Sequence, residues 1–320
     1  MSARICIYGA GAIGGFLATR FAHAGYTVSC IARGDHLAAI RARGLRLIEA
    51  AQETLVQIEC TDRPDSLGKQ DFVFVTLKTH AVADSVEGIA ALLGPSTVIV
   101  TAQNGLPWWY FHRDSSALAG QQLEAVDPAG LLWKTLGPER AIGAIVYPAA
   151  SVAGPGVIRH LSGERFALGE PGGENTERIR TLQALMSGAG LQAPVSADIR
   201  REIWLKLSIN AAINPLSLVR RATIGEIVHD GAGRAELVSL IREVQKVAES
   251  IGIEPLMSAA DLVVALEPFA AHKTSMLTDY ENHRPLELDG LSGAVLEIAG
   301  HMRVAAPELR RLYDRVRVID

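Results

Sequence analysis

A glycine-rich turn between a short strand and a helix is the feature that most restricts how this chain can fold. The GxGxxG spacing follows the predicted strand Arg4–Tyr8 and opens a predicted Ala-rich helix at 14–24. In this spacing the first glycine allows a tight turn, the second lets a pyrophosphate approach the backbone, and the third lets helix and strand pack closely. The unpaired N–H groups at the helix start also attract phosphates. A bare GxGxxG can be an ordinary turn, but its position between strand and helix predicts a dinucleotide site at Gly9, Ala10, Gly11, Ala12, Ile13 and Gly14.

Strands and helices alternate through the first 197 residues and then give way to helices alone. The predicted strands are 4–8, 26–32, 45–48, 54–60, 71–77, 97–101, 141–148 and 156–168, with 192–195 as a further candidate, and the predicted helices are 14–24, 81–93 and 177–189. Strands 45–48 and 54–60 are expected to form a hairpin. Short β-rich runs separated by helices predict a parallel sheet. The later helices are predicted at 200–219, 235–252, 258–265 and 292–299. We therefore predict an α/β Rossmann-type domain at 1–197 and an all-α domain at 198–320.

Size and charge exclude several classes of function. A chain of 320 residues is long enough for two domains, and its net charge of −4 offers no basic surface for nucleic acid or a membrane. No apolar run approaches the roughly 20 residues that span a bilayer, and we expect no signal peptide. Cys6, Cys30 and Cys60 lack metal-binding or CxxC spacing, so we expect no metal site. Cys6 and Cys30 fall inside predicted strands and are expected to be buried, inert thiols, and the odd, scattered set of cysteines fits a cytoplasmic location. The sequence leaves the oligomeric state open, a homodimer included.

Polar residues at the ends of three predicted strands indicate which dinucleotide binds. Arg33 follows the second strand, where an NAD site usually places an acid for the ribose 2′-hydroxyl. A guanidinium pairs well with a 2′-phosphate, so Arg33 favours NADPH, although Asp35 could reach a hydroxyl instead. Lys78 and Asn104 follow later strands, at the edge where parallel sheets bind ligands, so we expect both to face the cofactor. The alternatives are a solvated Arg33 and ordinary loop polarity at Lys78 and Asn104.

A stripe of polar residues on an otherwise apolar helix suggests the substrate site. Lys206, Asn210 and Asn214 recur at helical spacing within a run from 203 to 216 that is apolar nearly all round, a pattern typical of a buried helix. A lysine is seldom buried unless it is paired, because removing an ammonium from water costs several kcal/mol. The stripe therefore predicts a lined cavity for a polar ligand. The alternative is a lysine that reaches solvent beside two asparagines that bind nearby backbone.

A late polar stretch supplies a hydroxyl and several carboxylates. Ser275 and Asp279 lie in one segment, predicted as a loop or helix end, and Glu287 and Asp289 lie in the next. A carboxylate near Lys206 would keep that lysine charged and oriented until it gives up a proton. These acids could instead be solvated or cap helices, and for Asp289 that interpretation is preferred.

Taken together, these motifs resemble the ketopantoate reductase (2-dehydropantoate 2-reductase) family nearly from end to end. The residues that carry the resemblance are the glycine fingerprint, Leu77-Lys-Thr, Gln103-Asn-Gly105, Trp204-Leu-Lys-Leu with Asn210 and Asn214-Pro215, and Ser275-Met-Leu-Thr-Asp with Arg284-Pro-Leu-Glu-Leu-Asp289. The resemblance implies a Rossmann-type NADPH domain joined to an all-helical domain, a 6-phosphogluconate dehydrogenase-like fold with the active site between them. It also implies reduction of an α-keto acid to an α-hydroxy acid in the pathway to pantothenate.

The resemblance also implies roles for single residues. Lys206 matches the family's general acid, while Asn210, Ser275 and Glu287 match positions that bind substrate or orient the lysine. Asn104 and Lys78 match the junction of cofactor and substrate. Two further matches, Asn214 and Asp279, look more structural, although Asn214 is retained as a substrate-binding candidate.

The chain departs from the family pattern after Gly105. A connection from Pro107 to Trp133 is longer and more aromatic than in plain family members, and it begins with four consecutive aromatic residues at 108–111. These could wall the substrate pocket and select a keto acid bulkier than ketopantoate, or they could form a buried patch or subunit contact. Two other interpretations stay open: a β-hydroxy acid or opine-type dehydrogenase, which the lysine–asparagine helix disfavours, and a non-catalytic NADPH-binding regulator, which would not need both Lys206 and Glu287.

Overall fold

A computed structural model describes residues 3–50 and 52–319 of the chain. They form two compact units, one made of Met1–Gln103 with Leu131–Ile199 and the other of Asn104–Gly130 with Arg200–Asp320. The chain leaves the first unit for the last time after Ile199, within two residues of the predicted domain boundary. The segment Asn104–Gly130, which the sequence prediction left in the first domain, groups with the helical unit instead.

The first unit is built on a seven-stranded sheet beside a four-stranded one. The strands are β1 (Arg4–Tyr8), β2 (Thr27–Ile31), β3 (Leu45–Glu49), β4 (Gln52–Val56), β5 (Glu59–Thr61), β6 (Gln70–Val75), β7 (Leu93–Thr101), β8 (Ala141–Val146), β9 (Ala149–Gly154), β10 (Val157–Ser162) and β11 (Phe166–Gly169). The large sheet has the order β11-β8-β7-β6-β1-β2-β5, so the chain reverses its direction of growth between β1 and β6. Ligands bind open sheets at the carboxyl ends of strands beside such a point.

The sheet is mixed rather than wholly parallel. Strands β5, β2, β1, β6, β7 and β8 run parallel to one another, but β11 pairs antiparallel with β8. The predicted single strand at 156–168 is wrong, because a turn at Gly163 divides it into β10, in the small sheet, and β11, in the large one. The predicted strand at 192–195 consists of two isolated bridges, to Arg165 and to Leu168.

The small sheet has the order β4-β3-β10-β9 and covers the first helix. Strands β3 and β4 form the predicted antiparallel hairpin, which ends at Val56 rather than at residue 60. The first helix, α1 (Ala12–His23), packs against both sheets. Gly15 permits this packing, because a Cβ there would lie 2.5 Å from the side chain of Ile158 on β10. The helix that follows the glycine-rich loop therefore lies between two layers of strands.

The remaining helices of this unit are short. They are α2 (Gly34–Arg43), α3 (Val86–Ala91), α4 (Leu131–Leu136) and α5 (Glu177–Gly188). The predicted helix at 81–93 is an α-helix only over α3, since two 3₁₀ turns occupy its start and β7 begins at Leu93. Burial confirms the expectation of enclosed thiols, and it raises the pKa of Cys6 to about 12 and that of Cys60 to about 11.

The second unit is helical apart from the segment 104–130. Its helices are α6 (Ile199–Arg220), α7 (Ile224–Val228), α8 (Gly231–Ser250), α9 (Ala259–Val264), α10 (Ser275–Glu281), α11 (Ala294–Met302) and α12 (Pro307–Ile319), with a π-turn at Asp289–Gly293. Helix α8 packs against α7, α9, α11 and α12 and forms the centre of this unit. The sequence prediction missed α7, α10 and α12. Among the described residues, no helix is both long and apolar enough to cross a membrane.

Hydrogen bonds from polar side chains tie the segment 104–130 to the helices of the second unit. The Arg200 guanidinium donates to the carbonyls of Tyr110 and His112 at 2.8 and 2.6 Å. The Trp204 indole donates to the Tyr110 hydroxyl at 2.6 Å. Farther along, the Glu297 carboxylate accepts two backbone N–H groups of the segment. These bonds explain why the segment belongs with α6 and α11 although it follows a strand of the sheet.

Candidate active site

The glycine loop has the geometry that a dinucleotide phosphate needs. Gly9 has φ of +108°, which favours glycine, and a Cβ on Gly14 would overlap the Gly9 carbonyl oxygen. Gly11 is exposed, and a Cβ there would meet nothing within 4 Å. No side chain caps the start of α1, so its first N–H groups remain for an anion. The residues present therefore fit a bound pyrophosphate.

Arg33 and Lys78 follow β2 and β6, the two strands on either side of β1. Arg33 is exposed between β2 and α2. Burial raises the pKa of Tyr8, the last residue of β1, while a hydrogen bond with Ser85 and the nearby charge of Arg33 oppose that rise. Lys78 is half-buried and precedes the 3₁₀ turn after β6. The first unit thus gathers the predicted cofactor residues at one edge of its sheet, apart from Asn104.

In the second unit, Lys206 and Asn104 are in direct contact. The Lys206 Nζ donates to the Asn104 Oδ1 at 2.8 Å, across 102 residues of sequence. Asn104 is the first residue of the segment that joins the helical unit. Its side chain is therefore held by the lysine helix, and its predicted contact with the cofactor stays a prediction.

The environment of Lys206 favours proton donation near neutral pH. Burial lowers the pKa of Lys206 from its ordinary value of 10.5 to about 8, and the charge of Glu287 works in the opposite direction. A group with a pKa of about 8 is still largely protonated at pH 7 and releases its proton far more readily than an ordinary lysine. Such a lysine can act as a general acid.

Backbone contacts bring the Glu287 segment to the lysine helix. Gly105 has φ of +86°, and a Cβ on it would overlap the carbonyl oxygen of Gly290 in the π-turn. That carbonyl also accepts the Leu106 N–H at 3.0 Å, and the Ser292 hydroxyl donates to the Ala211 carbonyl on α6 at 2.8 Å. The π-turn is thus tied both to the Asn104 loop and to α6. In the sequence, Gly290 is only a glycine that follows an aspartate. That pattern is too weak to predict a contact between Gly290 and Gly105.

The other predicted substrate residues lie on α6 and α10. Asn210 is half-buried one turn after Lys206, and Asn214 is buried a turn later, just before Pro215. Ser275 is exposed at the first position of α10, which Thr274 caps. Their contact with substrate stays a prediction. Asp279 is buried within α10, the helix that this segment forms where the sequence predicted a loop or helix end.

The aromatic residues at 108–111 lie in the core of the helical unit. Trp108, Trp109, Tyr110 and Phe111 are each no more than 4% exposed. The Trp108 indole N–H is buried without a hydrogen-bond partner among the described residues, so packing alone holds that ring. This burial supports the interpretation of these side chains as a hydrophobic patch.

A Rossmann-type unit and a helical unit that carries a lysine of lowered pKa are the parts expected of a two-domain NAD(P)-dependent oxidoreductase. Comparison with protein families shows to which family of such enzymes the chain belongs. The model "Ketopantoate reductase PanE/ApbA" matches residues 5–173, and "Ketopantoate reductase PanE/ApbA C terminal" matches residues 198–320. The chain belongs to the ketopantoate reductase family.

Individual relatives agree with the family match. The chain is 45% identical to the 2-dehydropantoate 2-reductase of Mesorhizobium japonicum, over 98% of this chain and 97% of that protein. A crystal structure from Ralstonia solanacearum, described as a candidate ketopantoate reductase, has a TM-score of 0.94 and 37% identity and covers 99% of this chain and 98% of its own. The 2-dehydropantoate 2-reductase structure from Geobacter metallireducens has a TM-score of 0.87 and 27% identity, with coverage of 99% and 100%.

Proposed function

We propose that the chain reduces 2-dehydropantoate to pantoate with NADPH, a step in pantothenate biosynthesis. The observation that carries the proposal is the Lys206 ammonium, bound to Asn104 and within the field of Glu287, with its pKa lowered to about 8. The family match and the 45% identical 2-dehydropantoate 2-reductase support the choice of substrate.

The cofactor belongs to the first unit in this proposal. Gly9, Gly11 and Gly14 with the N–H groups that start α1 hold the pyrophosphate. Arg33 holds the 2′-phosphate, and Lys78 lies at the nicotinamide end. When bound, NADPH supplies the hydride that reduces the keto carbon.

The second unit supplies the proton and orients the substrate. Lys206 gives its proton to the oxygen of the keto group as negative charge develops there, and its charge stabilises that oxygen beforehand. Asn104 accepts from Lys206 and so fixes the direction of the ammonium. Asn210, Asn214 and Ser275 bind the substrate, and Glu287 keeps Lys206 protonated.

A panel of α-keto acids tests the substrate assignment. The protein is assayed with NADPH and with NADH on ketopantoate, on smaller straight-chain keto acids and on aryl keto acids. We expect ketopantoate with NADPH to give the highest kcat/KM. A higher kcat/KM for a bulkier keto acid would replace ketopantoate as the substrate while the chemistry stands. Cofactor binding without turnover of any keto acid would instead indicate a non-catalytic regulator.

Replacing Arg33 tests the cofactor assignment. Arg33→Ala should weaken NADPH and leave NADH nearly unchanged, because only NADPH carries the 2′-phosphate. A charge-assisted hydrogen bond of roughly 1.5–3 kcal/mol corresponds to about 10–150-fold in affinity. Fluorescence titration with both cofactors measures this, with the exposed Arg63→Ala as control. Equal losses for NADPH and NADH would point to Asp35 on a free ribose.

A further inference from the structure

A histidine outside the glycine fingerprint contacts the phosphate-binding loop. His36 lies in the first turn of α2, and its Nε2 is 2.7 Å from the carbonyl oxygen of Ala10. On the other side of the ring, Nδ1 is 3.1 Å from the backbone N of Gly156, in the turn between β9 and β10. Because a backbone N–H can only donate, Nδ1 accepts and Nε2 carries the proton that binds Ala10. These two contacts define a neutral imidazole with the proton on Nε2.

The hydrogen bonds of the loop show what this contact controls. The N–H groups of Gly9 and Ala10 both donate to the Ile31 carbonyl, and the Thr76 hydroxyl donates to the Gly9 carbonyl at 2.6 Å. His36 binds the next carbonyl, that of Ala10. In a planar trans peptide the carbonyl and the following N–H point in opposite directions. A donor on the Ala10 carbonyl therefore fixes the direction of the Gly11 N–H, the group beside the open space at Gly11.

We propose that His36 is a positioning residue for the cofactor phosphates. It holds the Ala10–Gly11 peptide so that the Gly11 N–H and the first N–H groups of α1 share one orientation toward a bound pyrophosphate. The Gly156 N–H fixes the imidazole ring, so the turn of the small sheet supports the loop through this side chain. The inference rests on the proposed nucleotide cofactor and adds a residue that the GxGxxG pattern does not contain.

Two amide variants separate the two hydrogen bonds of the ring. A glutamine amide can occupy the place of Nε2 and donate to Ala10, whereas an asparagine amide can occupy the place of Nδ1 and accept from Gly156. The variants are His36→Gln, His36→Asn and His36→Leu, with the exposed His23→Asn on α1 as control. NADPH and NADH affinities are measured by fluorescence titration, kcat and both KM values by steady-state kinetics, and melting temperatures alongside.

We expect His36→Asn and His36→Leu to weaken NADPH and NADH alike, by about three- to tenfold, the size of one neutral hydrogen bond. His36→Gln should stay within about twofold of the wild type, since it keeps the donor to Ala10. The KM for the dinucleotide should rise, while kcat and the KM for the keto acid stay constant. If the role were merely structural, the KM for the dinucleotide would not rise alone, and glutamine would not restore the affinity.

Two results would overturn the inference while the proposed function stands. One is unchanged dinucleotide affinity in His36→Asn and His36→Leu. The other is a loss shared by all three His36 variants in proportion to a fall in melting temperature. A wild-type protein that binds neither dinucleotide would overturn the proposed function and this inference with it. The wild-type titration therefore distinguishes the two failures.

Discussion

At the scale of single residues, Lys206 is the proposed general acid. Lys206→Ala should lower kcat by about 10²–10⁴-fold, the range that general acid catalysis contributes. Dinucleotide affinity should stay unchanged, since the glycine loop belongs to the other unit. Steady-state kinetics and a binding titration measure the two effects, with the exposed Lys246→Ala as control. A fall in kcat of less than about tenfold would require another proton donor.

The pH dependence of reduction should report the titration of Lys206. Burial lowers the pKa of Lys206 to about 8, against the charge of Glu287. A general acid must hold its proton, so kcat/KM should be constant at low pH and fall as the pH rises through about 8. Measurement of kcat/KM from about pH 6 to about pH 10 covers both the constant region and the fall.

Replacing Glu287 should move this break in a direction that the charges fix. Glu287→Gln removes the negative charge that raises the pKa of Lys206, so the fall in kcat/KM should begin at a lower pH. Glu281→Gln is the matched control, because that carboxylate pairs with Lys273 on the exposed surface. A break that stays in place in Glu287→Gln would mean that burial alone sets the pKa.

At the scale of elements, the segment 104–130 contributes to the core of the helical unit. Trp109 is fully buried, and its truncation to Ala should cost about 3–5 kcal/mol of unfolding free energy, as for other large aromatic residues in cores. The ratio of kcat/KM values for ketopantoate and a larger keto acid should not change. Trp108→Ala should behave in the same way.

Thermal melts and substrate ratios, measured together, check this prediction. Ser115→Ala, at an exposed position of the same segment, is the control and should alter neither quantity. An altered substrate ratio at constant melting temperature in either tryptophan variant would contradict it. That outcome would restore the idea that the aromatic run walls the substrate pocket.

Helices and strands could be predicted from the sequence where a local pattern of residues specifies them. The fingerprint, the first strands and the lysine helix follow from turn residues and from apolar periodicity. The Ser-Gly pair at 162–163 is a local turn signal that the prediction passed over, but the antiparallel direction of β11 could not be predicted, because only its pairing with β8 shows it. The π-turn that follows Glu287 was likewise not predicted, since Gly105, which packs against it, lies far away in the sequence.

At the scale of the whole molecule, the burial of Lys206 should lower stability. The pKa of Lys206 is about 8 in the folded protein and near 10.5 in the unfolded chain. The unfolded chain therefore binds the proton more tightly, and the cost to stability is fully present below about pH 8 and disappears as the pH rises toward 10.5. Lys206→Met should accordingly raise the melting temperature at neutral pH, and this gain should shrink in alkaline buffer.

Denaturant unfolding of Lys206→Met and wild type at about pH 7 and about pH 9.5 checks the sign of this effect. Lys246→Met serves as the control, since that lysine is exposed. A gain that grows with pH would contradict the assignment of a lowered pKa to Lys206. Loss of activity together with a gain of stability would identify the lysine as a residue kept for function.

The sequence by itself determined the fold class, the dinucleotide loop and the lysine helix, because each follows from spacing within a few turns of chain. Only the tertiary structure decided that 104–130 belongs to the helical unit. It also decided that Asn104 binds Lys206 and that His36 binds the glycine loop. The physical reason is distance along the chain. Local propensity and periodicity carry no information about a hydrogen bond between residues 102 positions apart, which forms only when separate elements pack together.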